Sequence, residues 1–328
     1  MGVQEENMSV QEQEEENTLV QKVFDLYHSI SNLPTLKPSK ETNNLFTQLV
    51  HLCIPPSPID VSRLPKPASD MRSRLIRLCG EAEGLLESHY ATLLASHANP
   101  LDHLHLFPYH SNYLKLSLLE HTILTTHTTT TPTSIAFIGS GPLPLTSIIL
   151  ATHHLTRARF HNYDIDAAAN AKAARLVRAD PDLRARMTFR TADVMEVGAR
   201  ELRAHDVVFL AALVGMSEGE KEGVLEHLGR NMAPGALLML RSARGARAFL
   251  YPVVEAGMVG DRLWGGFEVL SVYHPEDEVI NSVVVARRCA VGVGVVVRPS
   301  TCKCMEIGHM VGHGGLMEEL PLEEQQPS

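Results

Sequence analysis

Apolar residues recur at helical spacing through the first 130 positions of the chain. The first sixteen residues are instead rich in Glu and Gln and nearly free of apolar side chains, which predicts a disordered acidic tail. Prolines such as Pro34 and Pro56 interrupt the periodicity and predict extended loops. We therefore expect a helical N-terminal domain over residues 17–130, closed by the Thr-rich run 125–131. Its predicted helices cover about 17–32, 45–53, 69–97 and 111–126.

After Pro132 the pattern changes to short β-rich runs separated by helical segments. Such alternation predicts a parallel, doubly wound sheet of the α/β class, over residues 131–288. The last two runs have no helix between them, which suits an antiparallel pair at one edge. Beyond them, residues 289–328 read as an irregular tail. The expected strands are 135–138, 160–165, 187–191, 207–213, 236–240, 268–273 and 280–286, and the expected helices are 145–154, 167–178, 218–232 and 246–255.

Charge is concentrated at the two ends of the 328-residue chain. Lys and Arg number 29 against 38 Asp and Glu, a formal charge of −9. Ten of the acids lie in 1–16 and 317–328, so the rest carries +1 and lacks the basic surface of a nucleic-acid binder. No apolar run is long enough to span a membrane, and the acidic N-terminus does not match a signal peptide. With five cysteines and no disulfide pattern, we expect a cytoplasmic protein.

The first predicted strand ends in a glycine turn made of Gly139, Ser140 and Gly141, followed by a helix. Glycines let the backbone approach a ligand closely, and the N–H groups of a helix N-terminus can bind an anionic group. A turn with only a structural role is the alternative, because a Gly-x-Gly pair is common.

Acidic residues follow the second and third predicted strands. We expect Asp164 to bind ribose hydroxyls, Asp166 to cap the next helix beside that site, and Asp193 to accept from the adenine amine. Together with the glycine turn they indicate an adenosine-containing ligand. NAD and S-adenosylmethionine both fit, but Leu143 or Pro144 replaces the third glycine of the dinucleotide fingerprint. The pattern favours S-adenosylmethionine.

The helical domain carries a second set of polar residues. Glu83 and Glu87 are four positions apart and share one face of the long helix. Tyr113 and Glu120 share a face of the last helix, and Tyr109 precedes it. These side chains are candidates for catalysis, and a solvated acidic face is the alternative.

Two further groups of residues have weaker claims. Arginines after the fifth strand, such as Arg241, are candidates for binding carboxylates through two hydrogen bonds. The alternative is that they are solvated loop residues. The C-terminal tail also holds the atoms of a tetrahedral zinc site, but in a Gly/Glu-rich context with an unusual Cys-x-Cys start, so we expect no metal requirement. These residues are Cys302, Cys304, His309 and His313.

Several contiguous strings make the chain resemble the plant nicotianamine synthase family. They are LHLFPY at 104–109, AFIGSGPLPLTS at 136–147, DVVFLAALVG at 206–215, MAPG at 232–235, LRSA at 240–243 and RAFLYP at 247–252. The C-terminal MEEL at 317–320 resembles the grass versions. One position departs from the family: His110 stands where a second tyrosine usually follows Tyr109.

The resemblance implies a Rossmann-like S-adenosylmethionine-binding domain beside the helical domain, with the reaction chamber between them. It implies that three S-adenosylmethionine molecules each donate a 3-amino-3-carboxypropyl group, giving nicotianamine and three methylthioadenosines. The product chelates metal ions and, in grasses, is the phytosiderophore precursor. The resemblance also implies that a glutamate and a tyrosine act on the reacting amine, and the sequence leaves open whether these are Glu83 or Glu87 and Tyr109 or Tyr113.

Two other functions compete with this one. An ordinary small-molecule methyltransferase would use the same nucleoside pocket, and the Cys/His tail suggests a metal-binding or adenosine-sensing protein. We expect small-molecule substrates and neither nucleic acid nor membrane as partners, and the pattern leaves a homo-oligomer open.

Overall fold

The computed structural model describes residues 10–254 and 266–290. Its N-terminal part has the four helices that the apolar spacing predicts, with short 3₁₀ turns between them. The helix α1 begins at Val10, so residues 10–16 of the predicted disordered tail are helical, in keeping with the helix propensity of Glu and Gln. Residues 1–9 lie outside the described part. The helices are α1 (Val10–Ser31), α2 (Lys40–Cys53), α3 (Lys66–Leu94) and α4 (His110–His127).

The core of the helical part continues into the second half of the chain. Val23, Leu49 and Leu75, one from each of the first three helices, are fully buried. They cluster with Phe249, which follows the fifth strand. Burying an apolar side chain of this size contributes about 1.5–3 kcal/mol, so these contacts hold α3 against that distant segment. The Arg72 Nε atom of α3 also donates to the carbonyl oxygen of Ala248 at 2.7 Å.

The second half forms one seven-stranded sheet with the order β3-β2-β1-β4-β5-β7-β6. The first five strands in this order are parallel, and β7 is antiparallel to both of its neighbours. The predicted α/β class is therefore confirmed. The strands are β1 (Ser134–Ile138), β2 (Arg159–Asp164), β3 (Met187–Thr191), β4 (Val207–Leu210), β5 (Leu237–Ser242), β6 (Phe267–Tyr273) and β7 (Ser282–Arg288).

The predicted antiparallel pair at one edge is confirmed: β6 is the edge strand, and β7 lies between it and β5. All residues of β7 except Arg287 are buried, so the strand needs a partner on each side and cover on both faces. It pairs with β5 on one side and β6 on the other.

Helices connect the parallel strands and cover the sheet. The prediction of a helix over 246–255 is wrong for its described residues: only a 3₁₀ turn, Gly245–Phe249, forms there, and Pro252 follows it. The short helices α7 and α8 are not predicted. The helices of this half are α5 (Leu145–Ile149, continued by a π turn at Leu150–His154), α6 (Ala167–Val177), α7 (Pro181–Arg186), α8 (Ala199–Leu202) and α9 (Glu218–Asn231).

The order of the sheet reverses between β1 and β4, and ligands of open α/β sheets bind outside the carboxyl ends of the strands at such a point. Helices α3 and α4 contribute residues to the cavity that lies there. Lys172 of α6 fixes the position of α3, because its Nζ atom donates to the carbonyl oxygen of Ser88 at 3.2 Å. In the described ranges, no helix combines the length and apolar character needed for a membrane crossing.

Candidate active site

A cavity of about 980 Å³ opens at the carboxyl ends of the central strands. Its floor is the loops that follow β1, β2, β3 and β4, and residues of α3 and α4 line it from the helical part. Small-molecule pockets measure about 300–1,000 Å³, so this cavity is at the large end of that range. Its size suits more than one small ligand.

The glycine turn after β1 forms part of the floor, as predicted. Gly139 and Gly141 both have positive φ, 78° and 66°, a conformation in which a side chain is strained. A Cβ atom built on Gly139 would lie 2.4 Å from Val214, and one built on Gly141 would lie 2.8 Å from the Glu87 Oε2 atom. The hydroxyl of Ser140 is buried without a hydrogen-bond partner in the described part of the chain. The two glycines therefore let the turn approach Val214 and Glu87 closely, and Ser140 keeps a free hydroxyl that a ligand could use.

The three predicted acids all line the cavity. The two carboxylate oxygens of Asp164 accept backbone N–H bonds from Gly141 (2.8 Å) and Asp166 (2.9 Å), which fixes this side chain beside the glycine turn. A carboxylate has about four acceptor positions, so capacity remains for ribose hydroxyls. Asp166 caps α6 by accepting from Ala168 N at 2.7 Å, and Asp193 caps the 3₁₀ turn after β3. The predicted cap at Asp166 is confirmed.

The loop after β4 is held by a lysine that the sequence does not single out. Lys221 of α9 is buried, and its Nζ atom donates to the carbonyl oxygens of Ala212 (2.8 Å) and Val214. Burial lowers the pKa of this amine to about 7. Both carbonyls belong to cavity-lining residues, so Lys221 fixes this wall.

Two glutamate–tyrosine pairs face the cavity from above. Tyr113 of α4 donates to the Glu87 Oε1 atom at 3.1 Å, and Tyr251 donates to the Glu83 Oε2 atom at 3.0 Å. Desolvation raises the pKa of Glu83. Desolvation also raises the pKa of Glu87 well above its usual value, and the negative charge of Glu83 raises it further. Both side chains are half-buried, line the cavity and accept from tyrosines, so they do not form an open, solvated face of α3.

Glu120 and Arg241 form a buried ion pair behind the cavity wall. The Arg241 Nε and Nη2 atoms donate to the two carboxylate oxygens of Glu120 at 2.7 and 3.0 Å, and Nη2 also donates to the Thr146 hydroxyl at 2.7 Å. Burial acts to lower the pKa of Arg241, but the attraction of Glu120 outweighs it and raises that pKa. Arg241 lines the cavity, whereas its partner is 1% exposed and does not.

A sequence profile of the family described as "Nicotianamine synthase protein" matches residues 11–293. The chain belongs to the nicotianamine synthase family. It is 58% identical to a nicotianamine synthase of Solanum lycopersicum over 317 residues, 94% of this chain and 98% of that protein. It is 60% identical to nicotianamine synthase 9 of Hordeum vulgare over 275 residues, 84% of this chain and 80% of that protein.

Solved structures support the fold of this nicotianamine synthase family member. A structure of MtNAS in complex with MTA and tNA matches with a TM-score of 0.66 at 19% identity, covering 87% of this chain and all of that one. A glutamate-to-glutamine mutant of MtNAS gives a TM-score of 0.67 at 20% identity, covering 83% and 98%. The expected Rossmann-like fold is confirmed. The enzyme class is that of an aminocarboxypropyltransferase using S-adenosylmethionine, and the methyltransferase alternative is not supported.

Within this nicotianamine synthase fold, the predicted site residues separate into two groups. Two of the catalytic candidates do not line the cavity: Glu120 is paired with Arg241, and Tyr109 lies near Thr47. Sequence reasoning missed Tyr251, because the segment around it reads as a helix. The candidates that line the cavity are Glu83, Glu87, Tyr113, Gly139, Ser140, Gly141, Asp164, Asp166 and Asp193.

Two residues singled out in the sequence need separate mention. His110 begins α4, and burial together with His105 and His153 lowers its pKa. It does not line the cavity. The Cys/His tail at 302–313 lies outside the described residues, and within residues 10–254 and 266–290 no three His, Cys, Asp or Glu side chains are placed to hold a metal ion.

Substituting Gly141→Ala is expected to weaken donor binding in this member of the family. The positive φ costs an alanine about 1–2 kcal/mol, and the new Cβ pushes on Glu87. We expect the KM for S-adenosylmethionine to rise about tenfold, the equivalent of about 1.4 kcal/mol. Steady-state kinetics and urea unfolding measure the two effects. Gly198→Ala is the control, since a Cβ there meets nothing within 4 Å, and equal effects in both variants would contradict the prediction.

Proposed function

We propose that the chain condenses three aminocarboxypropyl groups from three S-adenosylmethionine molecules into nicotianamine and releases three methylthioadenosines. The observation that carries the proposal is the placement of two carboxylate–phenol pairs opposite a nucleoside-type floor in one cavity. MtNAS has been solved with S-adenosylmethionine and with MTA and tNA, which supports the same ligands here.

The donor is held by the floor of the cavity. Asp164 binds the ribose hydroxyls, and Asp193 accepts from the adenine amine. The buried and unpartnered Ser140 hydroxyl supplies a further bond. This position places the sulfonium and its aminocarboxypropyl arm under α3 and α4.

Glu87 is the base and Tyr113 orients the amine. A free amino group with a pKa of about 7.7–8.0 is mostly protonated at neutral pH, so it must lose a proton before it attacks carbon. Glu87 lies closer to the donor floor than Glu83, because its carboxylate approaches Gly141. Its raised pKa, caused first by desolvation, makes it a good proton acceptor at neutral pH.

Each transfer is a displacement at carbon. The nitrogen lone pair forms a bond to the Cγ of the arm, the C–S bond breaks with its electron pair going to sulfur, and neutral methylthioadenosine leaves. The proton lost by the nitrogen passes to Glu87. Because sulfonium is a good leaving group, the protein chiefly has to align the amine behind Cγ rather than behind the methyl group.

Glu120 affects the cavity indirectly, through its ion pair with Arg241. As the buried partner it holds the guanidinium against the cavity wall, so we assign it a positioning role. We assign Tyr109 a positioning role as well, since it lies near Glu83 and Thr47. Residues 17–130 and 131–288 act as two domains that enclose the chamber.

Incubation with S-adenosylmethionine alone, followed by mass spectrometry, tests the function. We expect methylthioadenosine and nicotianamine in a ratio of three to one. S-adenosylhomocysteine as the main nucleoside product would show methyl transfer and overturn the proposal. A variant truncated after Arg288 tests the tail by metal analysis and by an activity assay. We expect its activity to be unchanged.

Three finer assignments extend this proposal to the type of enzyme, its location and its assembly. The MEEL string at 317–320 is the ground for proposing a grass-type enzyme that supplies phytosiderophore synthesis, while the identities to the barley (60%) and tomato (58%) proteins favour neither group. A cytoplasmic location and a homo-oligomer complete the proposal. Fractionation of plant tissue and light scattering of the purified protein test them.

A further inference from the structure

Lys221 carries a buried amine that the proposed transfer does not use. It is 4% exposed, it does not line the cavity, and none of the ion pairs among the described residues includes it. Its Nζ atom instead donates to the carbonyl oxygens of Ala212 and Val214, in the loop that follows β4. Desolvation makes the charged form costly there, which is why its pKa is lowered to about 7. An apolar side chain would avoid that cost, so the amine is best explained by its effect on the loop.

The β4 loop, residues 211–216, is packed between Lys221 and the glycine turn of the donor floor. All six of its residues line the cavity. Gly215 has a φ of 70°, and a Cβ atom built on it would lie 2.9 Å from the Cα and N atoms of Lys221, so only glycine lets the loop pass this close to α9. On the other side, a Cβ atom built on Gly139 would lie 2.4 Å from Val214. Holding the loop at Lys221 therefore also fixes its contact with the glycine turn.

Lys221 also sets the direction of two backbone N–H groups. The described peptide bonds are all trans, so the C=O and N–H of one peptide group point in opposite directions. Because the carbonyls of Ala212 and Val214 point to Lys221 behind the wall, the N–H groups of Leu213 and Gly215 point to the side of the cavity. Neither N–H group has a hydrogen-bond acceptor in the described part of the molecule. The loop therefore presents two free donors to a ligand.

The order of the strands indicates which part of the donor reaches these two groups. In the proposed donor site, Asp193 after β3 accepts from the adenine amine and Asp164 after β2 binds the ribose. The next strand is β1 with its glycine turn, and β4 follows it. Neighbouring strands are about 4.8 Å apart, so a donor laid across the sheet in this direction carries its aminocarboxypropyl arm past β1 to the β4 loop. The arm ends in an ammonium, which accepts no hydrogen bond, and a carboxylate, which does.

We propose that the N–H groups of Leu213 and Gly215 bind the carboxylate of the donor's arm, and that Lys221 is the positioning residue that aims them. This inference rests on the proposed function. The hydrogen bonds from the Lys221 Nζ atom polarise both peptide groups, which strengthens each N–H as a donor. When the amine is protonated, its charge behind the loop also favours an anion in front of it. Arg241, the guanidinium that lines the cavity, is already matched by Glu120.

The variant Lys221→Met tests the proposal with three ligands that share the nucleoside and differ in the arm. S-adenosylhomocysteine keeps the whole arm, its decarboxylated form lacks only the carboxylate, and methylthioadenosine lacks the arm. Their affinities are measured by isothermal titration calorimetry at about pH 6, where the wild-type amine is protonated because its pKa is about 7. We expect the variant to bind S-adenosylhomocysteine about tenfold or more weakly than the wild type, as for lost hydrogen bonds to a charged group. The affinities for the other two ligands should stay close to those of the wild type.

Gly215→Ala is the second variant, because its Cβ atom pushes the loop away from Lys221 without removing a polar side chain. It should show the same loss, confined to the ligand with the carboxylate. Lys66→Met is the control, since this lysine is 87% exposed, and it should bind all three ligands as the wild type does. The inference is overturned if either folded test variant keeps the wild-type affinity for S-adenosylhomocysteine, or loses affinity for all three ligands equally. These measurements need no turnover, whereas S-adenosylhomocysteine as the main nucleoside product of the wild-type reaction would remove the proposed function itself.

Discussion

Replacing Glu87 by glutamine is expected to lower methylthioadenosine release by about 10²–10⁴-fold, the usual contribution of a general base. The substitution keeps the shape of the side chain and its bond from Tyr113, so donor binding should change little. Kinetics should show the loss in kcat rather than in the KM for S-adenosylmethionine. Near-normal activity of this variant would show that Glu87 is not the base.

The pH profile of the wild-type enzyme provides a second measure of Glu87. Desolvation is the largest cause of its raised pKa, and the charges of Glu83 and Asp164 raise that pKa further. The Tyr113 hydrogen bond and the charge of Arg241 lower it. Only the ionised form accepts a proton, so kcat/KM should rise with pH through this raised pKa. That limb of the profile should be absent in the residual activity of Glu87→Gln.

Stability measurements separate the loss of activity from unfolding. Because folding raises the pKa of Glu87, the folded state holds its proton more tightly than the unfolded state. The stability that this gives is present below the unfolded pKa and is lost as pH rises through the folded pKa. A glutamine does not ionise, so Glu87→Gln should be at least as stable as the wild type at neutral pH.

The alternation of strands and helices could be read from the sequence because each strand is short, apolar and bounded by turn residues. Strand ends are then aligned by the parallel sheet itself, which explains why Gly141, Asp164 and Asp193 meet in one cavity. The place of β7 was not predicted, although its run of buried valines marks a strand that needs two neighbours.

Contacts between distant segments are what the sequence does not reveal. Glu83 and Tyr251 are 168 positions apart, and the helical reading of residues 246–255 concealed the tyrosine. Glu120 shares a helix face with Tyr113 in sequence, but the structure turns its carboxylate to Arg241, 121 positions away. Helix periodicity places a residue on a face, whereas the neighbouring elements decide what that face meets.

The ion pair of Glu120 and Arg241 carries the largest expected effect on stability. Removing one partner of a buried pair leaves an unpaired charge and costs about 3–5 kcal/mol. Arg241→Met should show this cost in full, because the carboxylate of Glu120, which is 1% exposed in the wild type, then has no guanidinium beside it. Glu120→Gln should cost a similar amount, since the buried guanidinium then loses its counter-charge and one of its two acceptor atoms on residue 120.

The double variant Glu120→Leu with Arg241→Met decides whether charge or shape causes the loss. Replacing a buried pair by apolar side chains is often nearly neutral, so the double variant should be more stable than either single variant. Urea unfolding of the three proteins and the wild type gives the coupling free energy. Asp70→Asn is the matched control, because its exposed pair with Lys66 should contribute no more than about 1 kcal/mol. Losses that simply add would mean that the two side chains stabilise the fold through packing, and Glu120 would then have no charge-dependent hold on Arg241.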